Sequence, residues 1–189
     1  FTPDCKYPVV YGERGILNVV FETTLSAQSL ALISEIEGEQ GRSFVPDVLS
    51  CMVEGQALAV QGKRAPSNAP DLGNNGITLL AEKIKETTTN EELKHYFTWL
   101  YDCLHEKHLG QGLNMAWQDE MSGYLNVTPY LLEKTKTGFK LGLSVRYPVS
   151  FTQEQVMAGL EQAANEQPTV TFVRGFRSSF IDKNGPQLA

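Results

Sequence analysis

The chain opens with short apolar runs. Gly15 to Leu25 carries Ile16, Val19, Val20 and Phe21, and Ser29 to Ile36 carries Leu30, Leu32, Ile33 and Ile36, with turn residues between them. Runs of this length predict strands. Val48 to Val53 and Ala57 to Gln61 flank Glu54-Gly55-Gln56 and predict a hairpin, because a Gly-containing break of three residues fits that loop class. The period then lengthens. Ile77, Leu80, Ala81 and Ile84 fall at i, i+3, i+4 and i+7 after Gly73-Asn74-Asn75-Gly76, the spacing of one helical face. Thr89-Asn90-Glu91-Glu92 has the form of a capping box, and Leu93, Phe97, Leu100 and Leu104 continue a stripe behind it, so a second helix and a helical hairpin are expected.

Strand patterns return over Gly123 to Leu132 and Phe139 to Val149, joined by the turn-rich Lys134-Thr135-Lys136-Thr137-Gly138. Thr152-Gln153-Glu154-Gln155 is another capping box, followed by Val156, Leu160 and Ala163 on one side of a helix. After Asn165 to Pro168, the run Val170, Phe172 and Val173 predicts a last strand. This order predicts an α+β fold, an antiparallel sheet with helices packed on one face.

Composition narrows the function classes. The 189 residues carry 16 Lys and Arg against 22 Asp and Glu, a net charge of -6, which argues against a nucleic-acid partner. With 41% hydrophobic and 20% charged residues the chain has the make-up of a globular core-forming protein. No apolar run approaches the roughly 18 residues of a membrane span, so no membrane partner is expected. Cys5, Cys51 and Cys103 are odd in number and widely spaced, which suits buried thiols in a reducing, cytoplasmic setting. The start at Phe1-Thr2-Pro3-Asp4 has neither an initiator Met nor the features of a signal peptide, and an excised piece of a longer protein is expected.

Candidate chemistry is sparse. The histidines are His95, His105 and His108, and the last two sit at the expected C-terminal end of a helix, where the dipole favours His without any metal. Gly73-Asn74-Asn75-Gly76 matches no phosphate loop and reads as a helix-initiating turn. Asn126-Val127-Thr128 satisfies a glycosylation triplet that recurs by chance. Trp99 and Trp117, with Tyr96 and Phe97, read as packing aromatics rather than a ligand patch. The residues alone lead to an acidic α+β module without a self-contained active site.

Four segments in order resemble the lid domain of the PepV-like dipeptidases, within the zinc-dependent aminoacylase and carboxypeptidase superfamily. They are Phe1-Thr2-Pro3-Asp4 with Pro8 and Gly12-Glu13-Arg14-Gly15; the run from Gly62-Lys63-Arg64-Ala65-Pro66 to Leu72-Gly73-Asn74-Asn75; Val145-Arg146-Tyr147-Pro148; and the tail Phe180-Ile181-Asp182-Lys183-Asn184-Gly185-Pro186. The resemblance implies two ferredoxin-like lobes, roughly 15–64 and 65–176, between connectors 1–14 and 177–189 to a catalytic domain. The first lobe is expected to be trimmed, since the stretch between Val53 and Gly62 is short.

It further implies a lid that closes over a dipeptide held at zinc ions of that catalytic domain, with no metal bound by this chain. Arg146 takes the role of binding the substrate's terminal carboxylate, against the plainer reading of a strand arginine paired with a nearby acid. Two departures stand out: Pro66 occupies the family's His position and Ser43 the family's Asn position. The partners implied are the parent's own catalytic domain and a dipeptide or similar small carboxylate. The alternatives are the lid of a catalytically retired relative, acting as a binding or assembly module, and a free-standing dimerisation module.

Overall fold

The computed structural model describes residues 15–120, 122–165 and 170–177. The connector 1–14, most of the connector 177–189 and Cys5 lie outside the described residues. Eight strands and four α-helices occur among the described residues. They are β1 (Gly15–Thr24), α1 (Ala27–Leu30), β2 (Val48–Val53), β3 (Gln56–Gln61), α2 (Gly76–Thr87), α3 (Glu91–Leu104), β4 (Gln118–Asp119), β5 (Gly123–Tyr124), β6 (Asn126–Lys134), β7 (Gly138–Tyr147), α4 (Gln153–Asn165) and β8 (Val170–Arg177).

The main sheet has the order β6-β7-β1-β8 with every pairing antiparallel. Read as β1, the α2–α3 pair, β6, β7, α4 and β8, this is the β-α-β-β-α-β arrangement of a ferredoxin-like sheet. The expected α+β class is therefore observed. The sheet draws β1 from the segment 15–64 and its other strands from the segment 65–176, and β2 and β3 form a separate two-stranded hairpin.

Alternation sets the two faces of the sheet. On β1, Leu17, Val19 and Phe21 join the core, as do Phe139, Leu141, Leu143 and Val145 on β7. The same cluster takes Ile77, Leu80, Ala81 and Ile84 from α2, Leu93, Tyr96, Phe97 and Leu100 from α3, and Val156 and Leu160 from α4. At its centre Phe139 stacks on Tyr96 with centroids 5.4 Å apart and meets Phe97 edge-on at 5.3 Å. Trp99 lies against Phe21 and Tyr96, and Trp117 stacks on Phe151 at 4.7 Å, so both tryptophans pack as expected. Cys51 and Cys103 are buried, and burial pushes the Cys51 thiol up to about 11.

Three local expectations need correction. Ser29 to Ile36 is not a strand; Ala27–Leu30 is one helical turn, and only Ile33 makes a bridge, to Val53. Ser26 caps that turn, and the Glu92 carboxylate accepts from the Ser26 amide, the Ser26 hydroxyl and the Ser29 hydroxyl, so a contact across the fold decides its form. Consequently Glu92 does not close a box on Thr89: Asn90 is the N-cap of α3 and accepts from the Leu93 amide at 2.9 Å. The hairpin turn is shorter than expected, with Glu54 (φ 51) and Gly55 (φ 82) both left-handed in a two-residue loop. A glutamate is held there because its carboxylate accepts from the Thr88 and Thr89 hydroxyls and the Thr89 amide. The Thr152 box forms as predicted, with Gln155 N–H donating to Thr152 Oγ1 and Thr152 N–H to Gln155 Oε1.

Along the outer edge of β6 a side chain replaces a strand. Gln40 Nε2 donates to the Leu132 carbonyl at 3.2 Å and Gln40 Oε1 accepts from the Leu132 amide at 2.6 Å. This fastens the segment after Ile36 to the sheet beside the bulge between Pro129 and Leu131.

Candidate functional site

Arg146 is placed by the alternation of β7. Leu141, Leu143 and Val145 face the helices, so Lys140, Gly142, Ser144 and Arg146 fall on the opposite face. Register sets Arg146 between Asn126 of β6 and Ile16 of β1. The guanidinium is partly buried and donates through Nη1 to the Ser67 carbonyl at 3.1 Å.

The loops that meet Arg146 are built by short cross-links. Phe44 and Pro66 form an antiparallel bridge; the Val45 amide donates to the Ala65 carbonyl at 2.7 Å and the Ser67 amide to the Ser43 carbonyl at 3.2 Å. Lys63 and Asn74 exchange two backbone bonds, at 2.9 and 2.8 Å, which closes the loop between them. Asn75 caps α2 through its Oδ1 and donates through Nδ2 to the Pro129 carbonyl at 2.8 Å, so the expected helix-initiating turn also fastens the loop to β6. Thr128, fully buried, donates its hydroxyl to the same Ser67 carbonyl at 2.7 Å.

Ser43, Pro66 and Arg146 are therefore brought together. One buried residue, Ser67, touches the Ser43 backbone with its amide and the Arg146 side chain with its carbonyl. Ser43 and Pro66 are exposed. Beside them Arg64 spans Glu39 and Asp47, each at 3.0 Å, and lies over the Phe44 ring at 4.2 Å. The Arg64 hydrogen bond is the largest influence holding the Asp47 carboxyl below its usual range. Nothing in the sequence pattern points to Ser67, Thr128 or Arg64 as parts of this site. Arg64 lies inside a recognised segment and Thr128 inside the glycosylation triplet, but neither pattern signals a contact with Ser67.

The end of β7 is anchored by Asp119. Its Oδ1 accepts from the Ser122 amide at 2.6 Å and its Oδ2 from the Ser150 amide at 3.1 Å, while Ser122 Oγ accepts from the Val149 amide at 3.0 Å. These bonds, the Ser122 amide first, pull the Asp119 carboxyl from 3.8 down to about 2. A depressed carboxyl adds stability above its unfolded value that is lost as pH falls through the folded one. Thermal melts of the wild type should therefore lose this contribution between about pH 4 and pH 2. Asp119→Asn should be less stable than wild type at neutral pH and lose less over that window. Parallel acid limbs for the two proteins would show that Asp119 is not held this way.

The histidines do not share a helix face. His105 is the C-cap of α3 and stacks on Tyr101 at 4.5 Å, Glu106 follows with φ 57, and His108 lies beyond that turn. Burial is the leading cause lowering the His108 pKa. No group of three or more His, Cys, Asp or Glu among the described residues is placed to hold a metal ion. No helix among them is long and apolar enough to cross a membrane.

What this geometry defines is an α+β domain that presents one arginine, with its guanidinium steered by a backbone carbonyl, beside two exposed loop segments. No family model matches the chain. Over 98% of its length it is 24% identical to a Staphylococcus haemolyticus protein provisionally named as a dipeptidase, of which it covers 47%. A Staphylococcus epidermidis protein named in the same way is 23% identical over 98% of the chain and is also covered to 47%. The Beta-Ala-Xaa dipeptidase of Lactobacillus delbrueckii subsp. lactis is 23% identical over 78% of the chain, which covers 38% of it. The chain thus spans less than half the length of the curated relatives it matches, and those relatives carry the names of dipeptidase-like hydrolases.

Proposed function

We propose that this chain is the substrate-capping lid of a metal-dependent, dipeptidase-like hydrolase and that Arg146 holds the carboxylate end of a small peptide. The observation that carries this reading is the convergence of Ser43, Pro66 and Arg146 around Ser67, from positions far apart in sequence. A guanidinium fork can meet a carboxylate through two parallel hydrogen bonds, which fixes both position and orientation. The Ser67 carbonyl, itself held by Thr128, restricts how that fork can turn. In this reading zinc and the bond-breaking groups belong to a part of the parent outside this chain, which spans 47% of the first dipeptidase relative. The partners that follow are that catalytic part and a dipeptide or similar small carboxylate, in a cytoplasmic setting.

A second reading, the lid of a catalytically retired relative that binds without turnover, is favoured by Pro66. Proline has no N–H to offer a developing oxyanion, and loss of one such donor typically costs about 100 to 1,000-fold in rate. The test is kinetics of the full-length protein, with zinc supplied, on a dipeptide and its C-terminal amide. Arg146→Ala should lower kcat/KM for the dipeptide by about 10 to 100-fold and leave the amide within a few fold, with Arg146→Lys between. Equal losses on both substrates would remove the carboxylate role. Selective binding of the dipeptide without turnover would establish the retired form, and failure to bind either would overturn both readings.

A further inference from the structure

Arg146 meets its loop through one oxygen. The Ser67 carbonyl accepts from Arg146 Nη1 at 3.1 Å and from the Thr128 hydroxyl at 2.7 Å, so both of its lone pairs are engaged. At the far end of the same loop Asn75 is tied to the next residue of β6, its Nδ2 donating to the Pro129 carbonyl at 2.8 Å. Ser67, Asn75 and Thr128 are all buried, at 4%, 8% and 0% exposure. The bulge of β6 between Pro129 and Leu131 lies directly beside these two attachments, where the strand leaves its regular pairing with β7.

Local needs alone do not account for these two residues. Valine has nearly the shape of threonine, forms strands as well and buries no hydroxyl, so a strand position that is fully buried has no reason of its own to carry Thr128. Serine or aspartate would cap α2 as well as Asn75 does, since the cap uses only the oxygen that accepts from the Ile77 amide. What the two residues add is one donor each, and both donors close the gap between the loop and β6. We propose that Thr128 and Asn75 are positioning residues, a two-point latch that fixes the Ser67 carbonyl and through it the direction in which Arg146 presents its guanidinium to a carboxylate. A bidentate fork needs a defined plane, and a long, rotamer-rich side chain keeps that plane only when the group it leans on is itself fixed. The latch acts through Ser67 and Arg146 and has no contact of its own with the carboxylate to offer. It reaches further than the arginine: the Ser67 amide donates to the Ser43 carbonyl, so the same two bonds set where Ser43 and Pro66 stand relative to Arg146. This inference deepens the lid reading and rests on it.

Calorimetric titration of the metal-free, full-length protein with alanyl-alanine and with its C-terminal amide tests the latch without interference from turnover. Thr128→Val should lower the preference for acid over amide about three to tenfold while the amide binds as in wild type. Thr128→Ser keeps the hydroxyl and should restore the preference. Asn75→Ser keeps a neutral capping oxygen but is too short to reach Pro129, and should shift the preference the same way by about threefold; it carries the test if Thr128→Val does not fold. In an Arg146→Ala background neither substitution should change the preference further, because the group they position is gone. A merely structural role would lower the melting temperature or weaken both probes alike and leave the preference intact. If Arg146→Ala by itself leaves the preference unchanged, or the wild type binds neither probe, the lid reading fails and this inference with it. If Arg146→Ala abolishes the preference but folded Thr128→Val and Asn75→Ser each retain it, the latch alone is refuted.

Discussion

Phe139→Ala should destabilise this protein by about 3 to 5 kcal/mol, the usual cost of emptying a large aromatic site in a packed core. Phe139 is 1% exposed and is the ring on which two others converge, Tyr96 stacked and Phe97 edge-on. Removing it takes away both ring contacts together with the buried apolar surface, and the fully buried Tyr96 and Phe97 on α3 have little freedom to fill the gap. For a chain of this size each kcal/mol moves the melting temperature by about 2 to 4 °C, so a fall of roughly 6 to 20 °C is expected. Phe139→Leu should recover part of it, because a smaller cavity remains. Thermal melts of the purified variants decide the matter; a shift of only a degree or two for Phe139→Ala would mean that α3 is not seated on β7 through these rings.

Gly138→Ala, one residue earlier, should cost on the order of 3 kcal/mol for the opposite reason, an atom too many. A Cβ at this position would stand 1.6 Å from the Thr23 carbonyl oxygen and 2.6 Å from the Thr23 carbonyl carbon. Both belong to backbone, which cannot swing aside as a side-chain end can. The start of β7 would have to part from β1 where Gly138 pairs with Thr24, and the Leu25 amide bond to the Thr137 carbonyl would be disturbed with it. Hydrogen exchange should show faster exchange at Leu25 and along the neighbouring β1–β7 pairing before any global loss. Wild-type protection there in the variant would contradict the close approach.

Much of the architecture was legible because period and capping are local properties. The change from strand to helix spacing at Ile77, the Asn75 turn and the Thr152 box all depend on residues a few positions apart. Ser29 to Ile36 was not legible in this way. Its short apolar run suits a strand or a buried coil equally, and what settles the form is Glu92, more than fifty residues on, taking three hydrogen bonds from Ser26 and Ser29. The same carboxylate, engaged by Ser26 and Ser29, leaves the expected Thr89–Glu92 box unformed, and Asn90 caps α3 instead. At the site, the alternation of β7 places Arg146 away from the helices, but its meeting with Ser43 and Pro66 was reached only through resemblance. No periodicity links loops so distant.

The central place of β1 has a consequence in time. It is the first strand of the described fold, yet its two neighbours are the last long strand but one and the last. A ribosome adding about 5 to 20 residues per second delivers β7 on the order of ten seconds after β1. Through that interval both edges of an apolar strand, with Leu17, Val19 and Phe21 along one side, have no mate from their own sheet. Early synthesis can set up the β2–β3 hairpin and the α2–α3 pair, whose contacts are local, but it cannot close the sheet. Nascent chains halted before Gly138 should thus be the ones that chaperones hold and that aggregate.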